Sequence, residues 1–338
     1  MDVVIFGGSG LIGQALAKRV VEAGDTAFIL SRHRENESGQ RHGAQHQGAQ
    51  LQGGQQRDGQ AQGRRPRSQQ LTAYGTTIPY SLETLPQIID TLPLHRPYAI
   101  VNLAGESIAG GRWTKGRKQA IYDSRVVLTK ALANAICKLE LPPSVFVSGS
   151  AVGYYGSSTT ATFTESSLPG EGFLTDVTCG WEEAAQIALP TTRVALLRTG
   201  VVLAANKGAL PQMALPYRLF AGGRVGTGLQ WVSWIHIADA AGIILHCINN
   251  EQIYGPVNVT APCPVHMDEF GRSIAAALHR PHFMPAPSLA LRTLFGEMSQ
   301  IILEGQRVLP QKALDTGYEF QFDDVHAALR DLLSHEHP

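Results

Sequence analysis

The chain has 338 residues, 43% of them hydrophobic and 17% charged, with 28 Lys and Arg balancing 28 Asp and Glu. That balance describes a soluble globular protein of one large or two modest domains, and zero net charge gives no electrostatic reason to expect nucleic acid or an anionic membrane as the main partner. No apolar run reaches the roughly 18 residues of a membrane span, Met1-Asp2-Val3-Val4-Ile5-Phe6 lacks the features of a secretory signal, and the four cysteines (137, 179, 247 and 263) form no Cys-x-x-Cys pair. The expectation is a cytoplasmic protein with reduced thiols and no metal site.

Val3 to Phe6 and Ala27 to Leu30 read as strands, and Leu11 to Val21 between them carries apolar residues at helical spacing. From about His33 to Gln70 the composition shifts to Gln, Gly, Arg, His and Ser, with Leu51 the single large aliphatic residue. Such a stretch cannot bury a core. It reads as a solvated insertion between two strands, and its Arg64-Arg65-Pro66-Arg67 run offers a nucleic-acid contact only as the weaker alternative.

Beyond the insertion, strands at Ala99 to Leu103, Val145 to Val147 and Val194 to Leu197 alternate with helices at Lys115 to Leu139 and Phe173 to Ala188. This alternation predicts an α/β fold, a doubly wound parallel sheet of the Rossmann type covered on both faces. Past about Ala261, helical stretches at Met267 to Leu278, Leu289 to Leu303 and Asp324 to Leu333 follow Pro-rich links and predict a smaller, mostly helical C-terminal substrate lobe. The expected division is 1–260 for nucleotide binding, with the insertion at about 33–70, and 261–338 for the lobe.

The sharpest motif lies between the first strand and helix: Gly7-Gly8-Ser9-Gly10-Leu11-Ile12-Gly13. Gly7 permits the tight turn, Gly10 lets the backbone approach a pyrophosphate, and Gly13 lets helix and strand pack closely. The phosphates then meet the positive end of the helix. At the end of the second strand, an acidic residue would accept from a ribose 2′-hydroxyl and favour NAD(H). Ser31-Arg32 stands there instead, a pair suited to a 2′-phosphate and hence to NADP(H); the alternative is that Arg32 simply begins the insertion. Ala104 and Gly105, closing the strand Ile100-Val101-Asn102-Leu103, either let a cofactor pass close to the backbone or form a plain turn.

Together with Asn102-Leu103-Ala104-Gly105-Glu106, three further stretches make the chain resemble the extended short-chain dehydrogenase/reductase superfamily. They are Ser148-Gly149-Ser150-Ala151-Val152-Gly153-Tyr154-Tyr155-Gly156, Ser233-Trp234-Ile235-His236-Ile237-Ala238-Asp239 and Leu303-Glu304-Gly305-Gln306-Arg307-Val308-Leu309-Pro310. More narrowly, the chain is similar to its atypical epimerase-family branch of SDR39U type, with a C-terminal domain of the DUF1731 kind. The resemblance implies cofactor contacts at Gly7 to Gly13, Ser31, Arg32, Leu103, Ala104, Ala120, Arg125 and Val202; it is compatible with a homodimer through the two long helices, which could equally serve the monomer core. Arg125 also reads independently as either a phosphate partner or a surface ion-pair residue.

The superfamily's usual chemistry pairs a Tyr with a Lys four residues on, placing both on one helix face. None of the nine tyrosines has that Lys. Ser150 falls where the superfamily's catalytic Ser would be, and Tyr154 and Tyr155 follow it as candidate donors to a substrate oxygen. Cys179, Glu182 or Glu183, and the pair His236 and Asp239 are lesser candidates, with packing, solvation and helix anchoring as their structural alternatives. Arg224 or Gln230, on a glycine-rich loop, either hold an anionic substrate or belong to a mobile hairpin. Two functions stay open: an NADP(H)-dependent oxidoreductase or epimerase-like enzyme on a small polar substrate, or a cofactor-binding sensor or scaffold without catalysis.

Overall fold

The computed structural model describes residues 1–32, 70–72, 75–82, 85–95 and 97–334. The first half of the chain runs β1 (Asp2–Phe6), α1 (Leu11–Glu22), β2 (Thr26–Arg32), β3 (Gln70–Thr72), β4 (Gly75–Tyr80), α2 (Leu85–Thr91), β5 (Tyr98–Asn102), α3 (Lys115–Ile136) and β6 (Val145–Ala151). It continues through β7 (Thr162–Phe163), α4 (Phe173–Gln186), β8 (Arg193–Thr199), β9 (Val201–Leu203), α5 (Ala209–Arg218), β10 (Trp231–Val232), β11 (Trp234–His236), α6 (Ile237–Asn249) and β12 (Gly255–Val259). The chain then adds β13 (Val265–His266), α7 (Met267–Leu278), α8 (Ser288–Phe295), α9 (Gln300–Leu303), β14 (Arg307–Val308), α10 (Gln311–Asp315) and α11 (Val325–Leu333).

The main sheet has the order β12-β8-β6-β5-β1-β2-β4-β3, parallel throughout except for β3 against β4. The chain winds outward from β1 to β4, then returns to place β5 on the other side of β1. Ligands of doubly wound sheets lie at such a reversal, outside the carboxyl ends of the strands. Register brings those ends level: Phe6 pairs with Leu30 on one side and Asn102 on the other, so Gly7, Ser31 and Leu103 emerge together.

Alternation along β1 feeds two cores. Val3 and Ile5 pack with Leu16 and Val20 of α1 and Ile243 of α6, while Val4 and Phe6 pack with Leu85 of α2 and Leu128 and Leu132 of α3. All five β1 residues are buried, and this two-faced burial is why the parallel strands read as unbroken apolar runs. A third core forms the smaller lobe, joining Leu210, Tyr217 and Trp234 to Phe270, Ile274 and Leu329.

Two parallel strands of the main sheet, β4 and β12, were not expected from the sequence, nor were the short parallel pairs β9 with β11 and β7 with β14. The expected helix from Leu289 to Leu303 is broken: α8 ends at Phe295, Gly296 takes φ 60°, and a short 3-10 turn separates it from α9. The insertion, including Arg64, Arg65, Pro66 and Arg67, lies outside the described residues.

Candidate active site

The turn after β1 is built without room for side chains. Gly7 has φ 77°, and a Cβ on it would stand 2.8 Å from the Ala104 nitrogen and the Leu103 carbonyl carbon. A Cβ on Gly13 would stand 2.5 Å from both the Gly7 oxygen and the Gly8 Cα. The turn is pinned on both flanks, with Gly7 N–H donating to the Leu30 carbonyl at 3.2 Å and Leu103 N–H donating to the Phe6 carbonyl at 2.9 Å. No side chain caps α1 at Gly10, and its first turn carries no acid. The first amides of a helix have no intrahelical acceptor, so Leu11, Ile12 and Gly13 present their N–H groups at the dipole's positive end. A close-packed glycine cradle beneath uncapped amides fits a diphosphate.

Ser31, half-buried, closes β2 beside this turn together with the backbone of Arg32, whose side chain lies outside the described residues. Across the turn, Asn102 holds the β5 end in place. Its Nδ2 donates to Thr129 Oγ1 at 2.8 Å and its Oδ1 accepts from Ala104 N–H at 3.3 Å. Arg125 lies against Gly105 and over the Trp181 ring at 5.2 Å, donating to the carbonyls of Ile121 and Glu106 at 3.1 and 2.9 Å. Its hydrogen-bond acceptors are neutral oxygens. Burial, aided by the neighbouring Arg117 charge and opposed by Glu106, brings its pKa down to about 10. Arg125 is therefore a desolvated cation beside the turn rather than half of a surface ion pair. Ala120 is exposed on the same helix, and Val202 is half-buried in β9, packed on the core next to α1.

Farther along the carboxyl edge lies a buried polar network. Ser150 and Arg198 are register partners on β6 and β8, and Glu182 reaches them from α4. Ser150 Oγ donates to Glu182 Oε1 at 2.7 Å, and Arg198 holds both carboxylate oxygens at 2.8 Å. Arg198 Nη1 also donates to the Tyr155 hydroxyl at 3.0 Å, which in turn donates to Asn258 Oδ1 at 2.6 Å. The guanidinium lies 3.4 Å over the Tyr154 ring. Burial opposes the Arg198 charge, but its hydrogen bonds to Glu182 and that carboxylate's charge raise its pKa above the usual value. Tyr155 is 2% exposed, and burial pushes its phenol up to about 12. Tyr154 is half-buried and is also raised, by burial first, although Arg198 pulls the other way. Arg198 and Asn258 escaped the sequence reading. The signal was an arginine at the end of the apolar run Val194-Ala195-Leu196-Leu197, where a charge demands a partner.

The C-terminal segment closes over this network. Gln306 donates to the Val152 carbonyl at 2.9 Å, Asn258 Nδ2 to the Leu309 carbonyl at 2.8 Å, and Ser233 bridges Gln306 O and Val308 N–H at 2.7 and 2.9 Å. Three stretches far apart in sequence, around Ser150, Ser233 and Gln306, thus meet.

The lesser candidates have mostly structural placements. Glu183 is exposed while Glu182 is buried. Burial and the nearby Glu182 raise the Cys179 pKa, which keeps it a thiol. His236 caps α6, its Nδ1 accepting from Ala238 N–H at 3.1 Å, and Asp239 accepts from the Tyr318 hydroxyl and the amides of Gln321 and Phe322 at 2.9 to 3.0 Å. Gln230, 3% exposed, donates to the carbonyls of Val225 and Ile302. The loop carrying exposed Arg224 is not a free hairpin: Gly222, Arg224 and Gly226 exchange backbone hydrogen bonds with residues 283–286. Helices α3 and α4, the candidate dimer surfaces, pack on each other within the chain. Among the described residues no helix is long and apolar enough to cross a membrane, and no group of three His, Cys, Asp or Glu side chains is arranged to hold a metal.

Comparison with known proteins places this architecture. The chain matches the family model for the NAD dependent epimerase/dehydratase family over residues 3–260 and a domain of unknown function, DUF1731, over residues 286–332. It is 38% identical over 337 residues to epimerase family protein YfhF of Bacillus subtilis, covering 99% of this chain and 98% of that protein. With the chloroplastic SDR39U1 homolog of Arabidopsis thaliana it shares 42% identity over 237 residues, 70% of this chain and 68% of the other. The crystal structure of human epimerase family protein SDR39U1 (isoform 2) with NADPH superposes with a TM-score of 0.81 at 32% identity, covering 99% of both chains. Fold, glycine turn and these likenesses agree, and the chain belongs to the NAD dependent epimerase/dehydratase family.

Proposed function

We propose that this protein is an NADP(H)-dependent oxidoreductase or epimerase-like enzyme acting on a small polar substrate at the carboxyl edge of the sheet. One observation carries the reading: an uncapped, acid-free helix start beneath a turn in which a Cβ on Gly7 or Gly13 would strike backbone. The NADPH in the structure of the human relative supports the phosphorylated cofactor, as does Arg32 at the end of β2, where its guanidinium suits a 2′-phosphate. Gly7, Gly8, Ser9, Gly10, Leu11, Ile12 and Gly13 would hold the pyrophosphate. Leu103, Ala104, Gly105 and Arg125 would flank the middle of the cofactor.

When bound, the cofactor supplies or accepts a hydride. The residues beside it set the proton chemistry. With its hydroxyl proton given to Glu182, Ser150 offers lone pairs only, so the donor to a substrate oxygen is Tyr154. Protonated at neutral pH by its ordinary value and pushed higher still by burial, that phenol suits donation to a carbonyl being reduced and opposes abstraction from an alcohol. Tyr155 and Arg198 position this unit, since the Tyr155 hydroxyl is already committed to Asn258.

The test is equilibrium binding of NADPH followed by turnover of a panel of carbonyl compounds and nucleotide sugars. Tyr154→Phe is expected to lower kcat by about 10²-fold or more with little change in NADPH affinity. No turnover of any panel member by the unaltered protein above that of the Tyr154→Phe variant rejects the enzyme reading. The absence of the Tyr/Lys dyad favours a second reading, a sensor that binds NADPH without chemistry. It predicts NADPH-dependent protection of residues 303–310 from protease in a protein that turns over nothing.

A further inference from the structure

The loop between β9 and α5 carries a cation to the positive end of α1. Gly208, at φ 83°, packs on the first residue of that helix: a Cβ on it would lie 2.9 Å from the Leu11 side chain. At the other end of the loop Leu203 and Ala204 are buried, which fixes the path between them. Lys207, exposed and one residue before Gly208, donates from Nζ to Gln14 Oε1 at 3.0 Å. Among the described residues no carboxylate pairs with it.

A lysine here opposes the helix dipole, because cations are favoured at the other end of a helix. Nothing on α1 offsets it, since the first turn holds neither an acid nor a capping side chain. Gln14 is neutral and leaves the ammonium charge uncompensated. An anion lying between the ammonium and the amides of Leu11 to Gly13 converts this repulsion into attraction on both sides. A diphosphate resting on the glycine turn is an anion of that kind. The lysine stem is flexible enough to swing its head from the Gln14 amide to a phosphate oxygen.

We infer that Lys207 is a pyrophosphate-binding residue of the cofactor site, an assignment that rests on the nucleotide reading above. It differs from that of Arg32, because the pyrophosphate is common to NADPH and NADH and the 2′-phosphate is not. Titration of the full chain with both reduced nucleotides separates the outcomes. Lys207→Met is expected to weaken NADPH and NADH equally, by roughly tenfold, as for loss of a charge-assisted hydrogen bond, with a smaller loss at high salt. Arg32→Ala is expected to weaken NADPH alone. If Lys207→Met binds both nucleotides within about twofold of the unaltered protein, the inference is overturned. Weakening of NADPH alone also overturns it, by moving the lysine to the 2′-phosphate. An unaltered protein that binds neither nucleotide instead brings down the cofactor reading itself. Lys207 is exposed, so the nucleotide-free variant is expected to melt with the unaltered protein.

Discussion

Glu182 is 4% exposed and Arg198 2%, so the pair is compensated inside the protein rather than by water. Removing one charge from such a pair strands the other, at a typical cost of about 3–5 kcal/mol. Glu182→Gln is expected to destabilise by that amount in urea denaturation, and Glu182→Leu combined with Arg198→Met to recover much of it. A single variant with unchanged stability contradicts the network. Gly13→Ala acts through sterics instead. Its methyl meets backbone at 2.5 Å, and the expected outcomes are a loss of about 1–3 kcal/mol and NADPH binding weakened by more than tenfold. The glycine turn was legible in sequence because its parts are local: one strand end, one turn and one helix start. The network was not, because Ser150, Glu182, Arg198 and Asn258 meet only after the sheet has wound. Strand and helix periodicity do not say which of Glu182 and Glu183 faces inward.

Helix α6 shows how one element reports pH. His236 caps its start, stacks on Phe322 and lies 3.2 Å from Asp331. Since Nδ1 accepts from the Ala238 amide, the proton of the neutral ring resides on Nε2, facing that carboxylate. Burial nonetheless outweighs Asp331 and Asp239 and lowers the His236 pKa below its ordinary 6.5. The unfolded chain therefore binds this proton more readily than the folded one. The contribution of neutral His236 is fully present above the unfolded value and is lost as pH falls below it, with a slope of up to about 1.4 kcal/mol per pH unit. His246, likewise lowered by burial, adds to the same window. Denaturation between about pH 7 and pH 5.5 is expected to show falling stability. His236→Asn, which keeps a capping side chain, is expected to show a shallower fall; an unchanged slope excludes His236 as a source. Most elements of the doubly wound sheet were legible through their apolar periodicity. The exceptions are β4, where Thr76, Thr77 and Pro79 replace the aliphatic run, and β12, which opens on Gly255-Pro256.

At the scale of the whole molecule, the lobes are joined by polar side chains acting on distant backbone. Asp239 on α6, fully buried, receives the Tyr318 hydroxyl and the amides of Gln321 and Phe322, and so ties the stretch before α11 to the core shared by β1, α1 and α6. Each buried donor left without an acceptor costs about 1–3 kcal/mol. Asp239→Ala is expected to release this stretch locally, seen as new protease cleavage at residues 316–324 before global unfolding. Cleavage no faster than in the unaltered protein counts against the anchor.

The bare peptide floor at the sheet reversal has a consequence for how the protein can be altered. Gly7 rests on the main chain of Leu103 and Ala104, and Gly13 on that of Gly7 and Gly8. Ordinary substitution has almost no purchase on a surface made of main chain, except to ruin it. Such a floor is specified by the lack of side chains, so one added methyl reshapes it, whereas a changed side chain elsewhere on the carboxyl edge leaves the peptide path as it is.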